Sequence, residues 1–376
     1  MFERILRILT KEFIQVFRDP RMRSVVFLMP VVQLIVFGYA VTTDVRHVAT
    51  AVSDLDNSVA SRELVARFVN SGYFDVVAVE SRPSRLLELL DRGDVQAVLR
   101  VNSGFAADLR ANRSAEVQLL LDGSDSNTAG VVLSYASKIA SEFSRTVLVT
   151  RLSRVQGIFQ PPGAVRFQTR AWFNENLESR NYYVPGVVAI LLTLLTLILT
   201  SMAVVREKEI GTIEQIMVTP ISRVEFIIGK TLPFALIGFW DVLLITSVAA
   251  LWFHVPIRGS LLLLLFSSAV YLMTTLGVGL LISTVSRTQQ QAMMTTFLFF
   301  FPANLLSGFM FPIANMPRPV QWLTLANPLR YFLVIIRGIF LKGVGISVLW
   351  PQILILALMG VLTLTLASLR FRKTVA

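Results

Sequence analysis

Six apolar runs, with one long polar segment between the first and the second, constrain this chain more than any other feature. Each run is about 20 residues or longer, enough to cross a hydrocarbon core of about 30 Å as a helix. Asp241 is the one charged residue inside them, and backbone amides in lipid must be paired within their own segment. The pattern therefore predicts six transmembrane helices, at residues 24–43, 184–205, 231–253, 260–284, 292–311 and 346–369.

The polar segment, residues 44–183, alternates strand and helix signals. Its strand-like runs are β-branched and short, and they lie at 48–53, 74–79, 95–101 and 117–121. Helical patterns lie at 58–69, 83–90 and 126 to about 154, with Ser58 as a predicted N-cap. The alternation favours an α/β layered domain. The predicted fold class is a polytopic α-helical membrane protein with six transmembrane helices and an inserted extracytoplasmic α/β domain.

The distribution of charge predicts the orientation in the membrane. The insert carries 16 basic and 16 acidic residues, so the net charge of +11 lies entirely outside it. Alternate short loops and the termini hold 14 Lys and Arg on one side of the spans and five on the other. Positively charged loops remain in the cytoplasm. We therefore expect a bacterial inner-membrane protein with both termini in the cytoplasm and residues 44–183 outside.

Several functions are disfavoured by residue content. The chain has no cysteine and two distant histidines, so no metal site is predicted. No catalytic constellation is found, and Gly229-Lys230-Thr231 lacks the earlier glycine of a phosphate-binding loop, since Val224 stands there. A nucleic-acid binder would concentrate basic residues on its soluble domain, whereas these lie beside the spans.

Two further segments border the spans. Residues 1–22 predict a basic amphipathic helix at the membrane interface, before the first span at 23–43. Residues 312–345 hold an apolar stretch of about 13 residues, too short to cross the bilayer. We expect this stretch to be an external re-entrant helix whose Arg330 and Arg337 reach toward lipid headgroups.

The loop at 206–230, after the second span, has an apolar stripe at helical spacing and three glutamates near its start. It predicts a short amphipathic helix at the cytoplasmic face. Apolar stripes on exposed helices usually contact a partner, which disfavours an ordinary solvated loop.

Together with this loop, five sequence strings in order resemble the ABC-2 type permease family. They are LIST at 281–284 followed by RTQQQA at 287–292, SGFMFP at 307–312, NPLRYF at 327–332 and RGIFLKG at 337–343. The likeness covers the whole chain, and the insert matches by layout more than by motif. It is greatest to the bacterial branch that has a large external domain after the first span.

The resemblance implies a permease core at 184–376, a dimer with a second copy or a sister permease, and two separate ATPase subunits. ATP and Mg²⁺ would bind to those subunits, with no cofactor on this chain and no ATP hydrolysis by it. Relatives export drugs, lipids, glycans or ions, and some work with a periplasmic adaptor protein. The loop at 206–220 corresponds to the helix that docks on the ATPase. We predict that docking uses Glu207, Glu209, Gly211, Thr212, Glu214 and Gln215.

Three residues inside the spans are candidates for the translocation pathway: Asp241, Asn304 and Phe300. A carboxylate near the middle of a span costs about 2.5–3.5 kcal/mol on insertion scales. One interpretation is that Asp241 contacts cationic cargo or changes protonation, and the other is an interhelical hydrogen bond of the protonated acid. Asn327, with Arg330 and Arg337, marks the external segment.

Other functional classes remain open at this level. A membrane receptor with an external ligand-binding domain would need a cytoplasmic output domain, and the inner loops are short. An ion-gradient-driven transporter usually shows inverted repeats and more buried charge than Asp241 alone. The prediction is an ATP-driven exporter permease that moves drug-like, lipidic or ionic cargo by alternating access.

Overall fold

The computed structural model describes residues 2–40, 45, 47–156, 172–174, 178–211 and 222–370, which divide into two units. One unit lies in Met1–Thr42 and Arg170–Ala376, and the other in Thr43–Thr169. The first starts with helix α1 (Phe2–Arg18), followed by α2 (Pro20–Arg23), a π-helical segment (Ser24–Leu28) and α3 (Met29–Ala40).

The second unit is an α/β domain, as the alternating pattern predicts. Its elements in chain order are β1 (Val48–Asp54), α4 (Val59–Asn70), β2 (Phe74–Val79), α5 (Pro83–Asp91), β3 (Ala97–Val101), α6 (Phe105–Arg110), β4 (Val117–Leu121) and α7 (Ser126–Gln156). The predicted N-cap is confirmed, because the Ser58 hydroxyl accepts a hydrogen bond from the Ser61 amide at 3.0 Å. Helix α6 was not predicted, because six residues are too few to show a helical period.

The four strands form one sheet in the order β2-β1-β3-β4. β1 pairs in parallel with β2 and β3, while β4 is antiparallel to β3. One face packs Val48, Leu99 and Val101 against Phe68 of α4 and Phe143 of α7. The other face packs Val98 beneath Leu86 of α5. The domain thus has helices on both faces of its sheet.

The first unit continues with long apolar helices. They are α8 (Ser179–Ile210), α9 (Arg223–Leu251), α10 (Leu261–Val285) and α11 (Gln289–Leu305), then α12 (Arg318–Leu323), α13 (Pro328–Arg337) and α14 (Ile346–Arg370). Among the described residues, α8, α9, α10 and α14 are long and apolar enough to cross a membrane. The first predicted span is a shorter helix, Ser24–Ala40, and α11 has 17 residues, so six spans remain a prediction.

The segment predicted as re-entrant contains a sharp break. Arg318–Ala326 and Pro328–Lys342 meet at 83°, the geometry of a broken span or a re-entrant loop. Asn327 lies at the break, where its Oδ1 accepts from the Leu329 amide at 3.1 Å and its Nδ2 donates to the Ala303 carbonyl at 2.6 Å. One side chain therefore caps the start of α13 and satisfies a carbonyl near the end of α11.

Small residues let the long helices approach closely. A Cβ on Gly279 of α10 would lie 2.8 Å from the Thr200 Cβ of α8. Hydroxyl pairs join the same helices, with Thr196 donating to Thr275 at 3.1 Å. Such contacts are the usual means of helix association in lipid, where burial of apolar side chains gives no driving force between helices.

Candidate functional site

The last turn of α8 is the main difference between the predicted and the observed membrane unit. The second span was expected to end at 205, with a loop from Arg206, but α8 continues through Ile210. Four consecutive charged residues, Arg206 to Glu209, therefore lie on one helical turn. Because successive residues on an α-helix are rotated by about 100°, these four side chains point to four different sides.

Glu207 points inward and takes part in a buried ion cluster. Its side chain is 6% exposed, and Oε1 lies 2.9 Å from the Lys230 Nζ of α9 and 2.7 Å from the Lys11 Nζ of α1. The same Lys230 Nζ lies 2.5 Å from the Glu12 Oε1. Two carboxylates and two ammonium groups thus neutralise one another at the junction of α1, α8 and α9. Glu207 was predicted to belong to a docking surface. In this arrangement the carboxylate is enclosed by its own chain, and a role in docking stays a prediction.

The position of Glu12 in the sequence of α1 could have indicated this buried ion cluster. Glu12 follows Ile5 and Ile8 at the spacing of the apolar stripe of α1, so its carboxylate lies on the buried side. Gly229 allows α1 to approach, since a Cβ there would lie 3.0 Å from the Ile8 side chain. The Gly229-Lys230 pair that superficially resembles part of a phosphate loop therefore serves helix packing and charge pairing.

Lys208 points to the end of α10. Its Nζ donates to the carbonyls of Ser283, Thr284 and Ser286 at 3.2, 3.0 and 3.3 Å. The last carbonyls of a helix have no intrahelical partner and carry partial negative charge, so an ammonium group stabilises them. The Ser283 hydroxyl in turn accepts from the amides of Val204 and Val205, each at 3.1 Å.

The two remaining charged residues of the turn contact α11 and α1. Glu209 accepts from the Gln289 Nε2 at 2.6 Å, at the start of α11, where a negative charge complements the helix dipole. With the Gln15 amide turned so that its oxygen faces Arg206, that oxygen accepts from the guanidinium at 2.8 and 3.0 Å. We call Arg206–Glu209 with these partners the α8 junction, and it joins α8 to α1, α9, α10 and α11.

The chain leaves the junction at Gly211, which ends α8 with a left-handed φ of +80°. A glycine adopts this conformation without the steric cost that a Cβ would add. Glu209 and Gly211 are exposed, whereas Thr212, Glu214 and Gln215 lie outside the described residues. The loop predicted to dock on a partner, 206–220, thus begins within the junction and continues beyond Gly211.

A groove of about 500 Å³ runs beside the junction, between the N-terminal helices and α8. Its polar end is formed by Glu12, Gln15, Asp19, Arg206 and Gln289. Its apolar part includes Val25, Ile198, Leu199 and Met202. A groove that is polar at one end and apolar along its length suits an amphipathic molecule aligned with a lipid leaflet.

The candidates inside the spans are buried to different degrees. Asp241 is fully buried, so its carboxylate opens to no cavity in this arrangement. Phe300 is 6% exposed and lies edge-on to Phe301 at 5.9 Å, and the side-chain oxygen of Asn304 is buried with no hydrogen-bond partner. Asp241 lies on α9 and the other two on α11. A shared pathway for them stays a prediction.

The arginines of the bent segment contact protein groups. The Arg330 guanidinium donates to the Thr324 hydroxyl and lies over the Tyr331 ring, with 5.9 Å to its centroid. Arg337 stacks on the Tyr182 ring of α8 at 3.8 Å and donates to the Gly308 carbonyl at 3.4 Å. The expectation that both reach toward lipid headgroups does not fit these contacts. Cation–π stacking instead fixes the bent segment to the start of α8.

Bundled apolar helices, a bent helix pair and a charged junction at the end of α8 define a polytopic membrane permease. A family model described as ABC-2 family transporter protein matches residues 20–369, and this chain belongs to that family.

Its relatives include two Escherichia coli (strain K12) proteins named as probable multidrug ABC transporter permeases. YbhR is 31% identical over 375 residues, covering 100% of both chains, and YbhS is 32% identical, covering 99% of this chain and 97% of its own. The inner membrane transport permease YhhJ of the same organism is 29% identical over 86% of this chain and 85% of its own. The chain is thus similar over its full length to permease subunits of ABC transporters.

Proposed function

We propose that this chain is the membrane-spanning subunit of an ATP-driven exporter and that its α8 junction receives the mechanical input. The observation that supports the proposal is that one helical turn, at the start of the predicted docking loop 206–220, is fixed to four other helices. A displacement of residues 212–221 would act on α1, α9, α10 and α11 together through that turn. Separate ATPase subunits, two per complex, would supply the displacement, and ATP and Mg²⁺ would bind there.

In this mechanism the permease has two arrangements that differ in which side its cargo pathway opens to. The buried charges of the junction would keep the attached helices moving as one body, because separating them would expose unpaired charges. A second copy or a sister permease would complete the pathway between two subunits. This alternating access would move cargo outward across the inner membrane.

The 500 Å³ groove is our candidate for cargo access from the inner leaflet. The names of YbhR and YbhS state multidrug transport for those proteins, and the groove suits drug-like or lipidic amphipathic molecules. Replacing the half-buried Met202 with tryptophan should fill the groove and slow ATP-driven export of ethidium. Leu362, exposed on α14, provides the matched control as Leu362→Trp. Equal export rates for both variants would exclude the groove as the access route.

Charge reversal after α8 should separate the permease from its ATPase. With Glu207 enclosed, the docking surface we propose is Glu209, Gly211, Thr212, Glu214 and Gln215. In a Glu209→Lys, Glu214→Lys variant, the ATPase recovered with the tagged permease should fall about tenfold, a change of about 1.4 kcal/mol in affinity. Glu116→Lys together with Asp94→Lys makes the same charge change at exposed positions of the α/β domain and should leave recovery unchanged. Full recovery with the docking variant would contradict the proposed surface.

Cysteine labelling tests the proposed orientation, with both termini in the cytoplasm and residues 44–183 outside. The chain has no cysteine, so each introduced thiol is the single target. Ser124→Cys, exposed in the α/β domain, should react with a membrane-impermeant maleimide once the outer membrane is permeabilised. Glu3→Cys, exposed on α1, should react only after the inner membrane is broken. The opposite labelling pattern would show that the orientation in the membrane is the reverse of the proposed one.

Reconstitution separates this function from the two other classes. In proteoliposomes that hold the permease with its ATPase, an exporter moves ethidium when ATP is added and not when only an ion gradient is applied. Movement driven by the gradient alone would indicate a secondary transporter, and ligand binding without movement would indicate a receptor. Omitting or adding an adaptor protein in the same assay would show whether one takes part.

A further inference from the structure

Asp241 is the most unusual ionisable residue in the part of the chain that the structure describes. It is 0% exposed, and neither carboxylate oxygen has a hydrogen-bond partner among the described residues. The hydroxyls of Thr246, Ser267 and Ser268 are likewise buried without a partner. A fully buried carboxylate without a partner is rare in a well-packed interior, where nearly all polar groups are paired.

Helix register places Ser268 of α10 near the level of Asp241 on α9. Gly238 of α9 faces α8 and α10, since a Cβ there would lie 3.0 Å from Thr196 and 2.7 Å from Leu272. Asp241 is three residues further along α9 and so lies on the same side, one turn on. Because α10 returns antiparallel to α9, that turn of α9 faces the turn of α10 that contains Ser268.

Few described groups near Asp241 can neutralise the negative charge of its carboxylate. Thr193 of α8 and Tyr271 of α10 share a hydrogen bond of 2.5 Å, and Tyr271 is the one ionisable side chain described there besides Asp241. Among the other packed elements, Tyr39 of α3 bonds Trp252 at the far end of α9, Arg370 ends α14, and the Ser24–Leu28 segment has no ionisable residue.

The charged groups of α1 and of the α8 junction lie at the opposite end of α9. Lys230 is eleven residues before Asp241, about 16 Å along the helix axis, and is held by Glu12 and Glu207.

We propose that Asp241 is an intramembrane proton-binding site that is occupied in this arrangement and empties when α9 separates from α8 and α10. A buried carboxylate without a counter-charge costs several kcal/mol, and a proton removes that cost. The step is simple: an O–H bond forms between one carboxylate oxygen and a proton delivered by water, and release breaks that bond and restores the anion. The deprotonated carboxylate must be hydrated, and water cannot reach it while α8, α9 and α10 are packed together.

A proton fits this place better than an alkali cation. Transporter sites for such ions draw additional oxygen ligands from unwound helix segments. Both α9 and α10 are continuous helices at this level, so their backbone carbonyls are already bonded within the helix. A protonated acid needs no such set of ligands, because it is neutral and has a single O–H group to place.

Infrared spectroscopy of the full-length permease in lipid nanodiscs tests occupancy. We expect a C=O stretching band of a protonated carboxylic acid that persists at pH 7, disappears in Asp241→Asn and changes frequency in Asp241→Glu. Asp94→Asn, at an exposed position, should leave the band unchanged. A band that is absent at pH 7, or that survives Asp241→Asn, would overturn the assignment. So would a spectrum that responds to sodium chloride rather than to pH.

Hydrogen exchange on the same samples tests the linked movement. In the wild type, protection of the amides at 238–246, corrected for the intrinsic pH effect, should fall about tenfold per pH unit once release of the proton drives opening. Asp241→Asn should keep its protection across that range, because the amide cannot ionise. Equal pH dependence in both proteins would refute the linkage.

The proposal deepens the transport function, since a proton would enter each cycle. Neither measurement requires an ATPase, so failure of the exporter function and failure of the proton site remain distinguishable.

Discussion

Lys230→Met is expected to destabilise the membrane unit by about 3–5 kcal/mol, the usual effect of removing one partner from a buried ion pair. Methionine keeps the length of the side chain but not its charge. Glu12 and Glu207, whose side chains are 4% and 6% exposed, would then lose the buried ammonium group that pairs with both of them. The measurement is thermal unfolding of the purified protein in detergent, where the variant should melt well below the wild type.

Two matched variants give this prediction its controls. Lys11→Met removes a half-exposed ammonium group from Glu207, and such pairs contribute about 0–1 kcal/mol. Combining Glu12→Gln with Lys230→Met should restore part of the lost stability, because one buried carboxylate disappears with its partner. If Lys230→Met melts at the same temperature as Lys11→Met, the cluster does not hold the junction together.

Gly277→Val is expected to have the second large effect, because it forces α10 and α14 apart. A Cβ at Gly277 would lie 2.8 Å from the Thr363 Cβ and 2.9 Å from the Leu364 backbone nitrogen, closer than carbon atoms pack in proteins. A rotamer change of Thr363 relieves neither contact. Overpacking of this kind costs about 1–3 kcal/mol or more, so we expect a lower melting temperature and a smaller folded yield from membranes.

Gly345 offers the comparison within the same unit. No atom lies within 4 Å of its added Cβ, so Gly345→Ala should be close to neutral. Gly277→Ala should lie between the valine variant and the wild type, since it introduces the clashing Cβ without the extra methyl groups. Similar melting temperatures for all three variants would show that α10 and α14 do not approach closely at Gly277.

Much of the α/β domain was predictable because its signals are local. Alternating strand and helix patterns, Ser58 before α4 and Pro83 at the start of α5 act within a few residues, and each matches the observed element. The family was likewise recognisable from short strings in order. LIST and RTQQQA prove to be positions where α10 and α11 meet the α8 junction.

The candidate site was less predictable, because its residues act on distant partners. Glu207 was expected on an outer surface, yet it pairs with Lys230 and Lys11, which are 23 and 196 positions away in sequence. A hydropathy pattern predicts that a span ends at the first charged residue. The second span was therefore predicted to end at residue 205. The helix continues because each charge of the last turn finds a partner on another helix. For Arg337, the aromatic ring of Tyr182 was not visible from the local pattern.

The sequence alone determined that this chain enters a membrane, where its polar insert begins and which family it resembles, because hydropathy, helical period and capping are properties of short segments. Only the tertiary structure decided that the charges in the last turn of α8 join five helices and that Glu12 and Lys230 complete that junction. It also decided that Asp241 has no hydrogen-bond partner among the described residues. The physical reason is that a helical pattern fixes which side of a helix is buried, while the packing of the whole bundle determines what lies opposite.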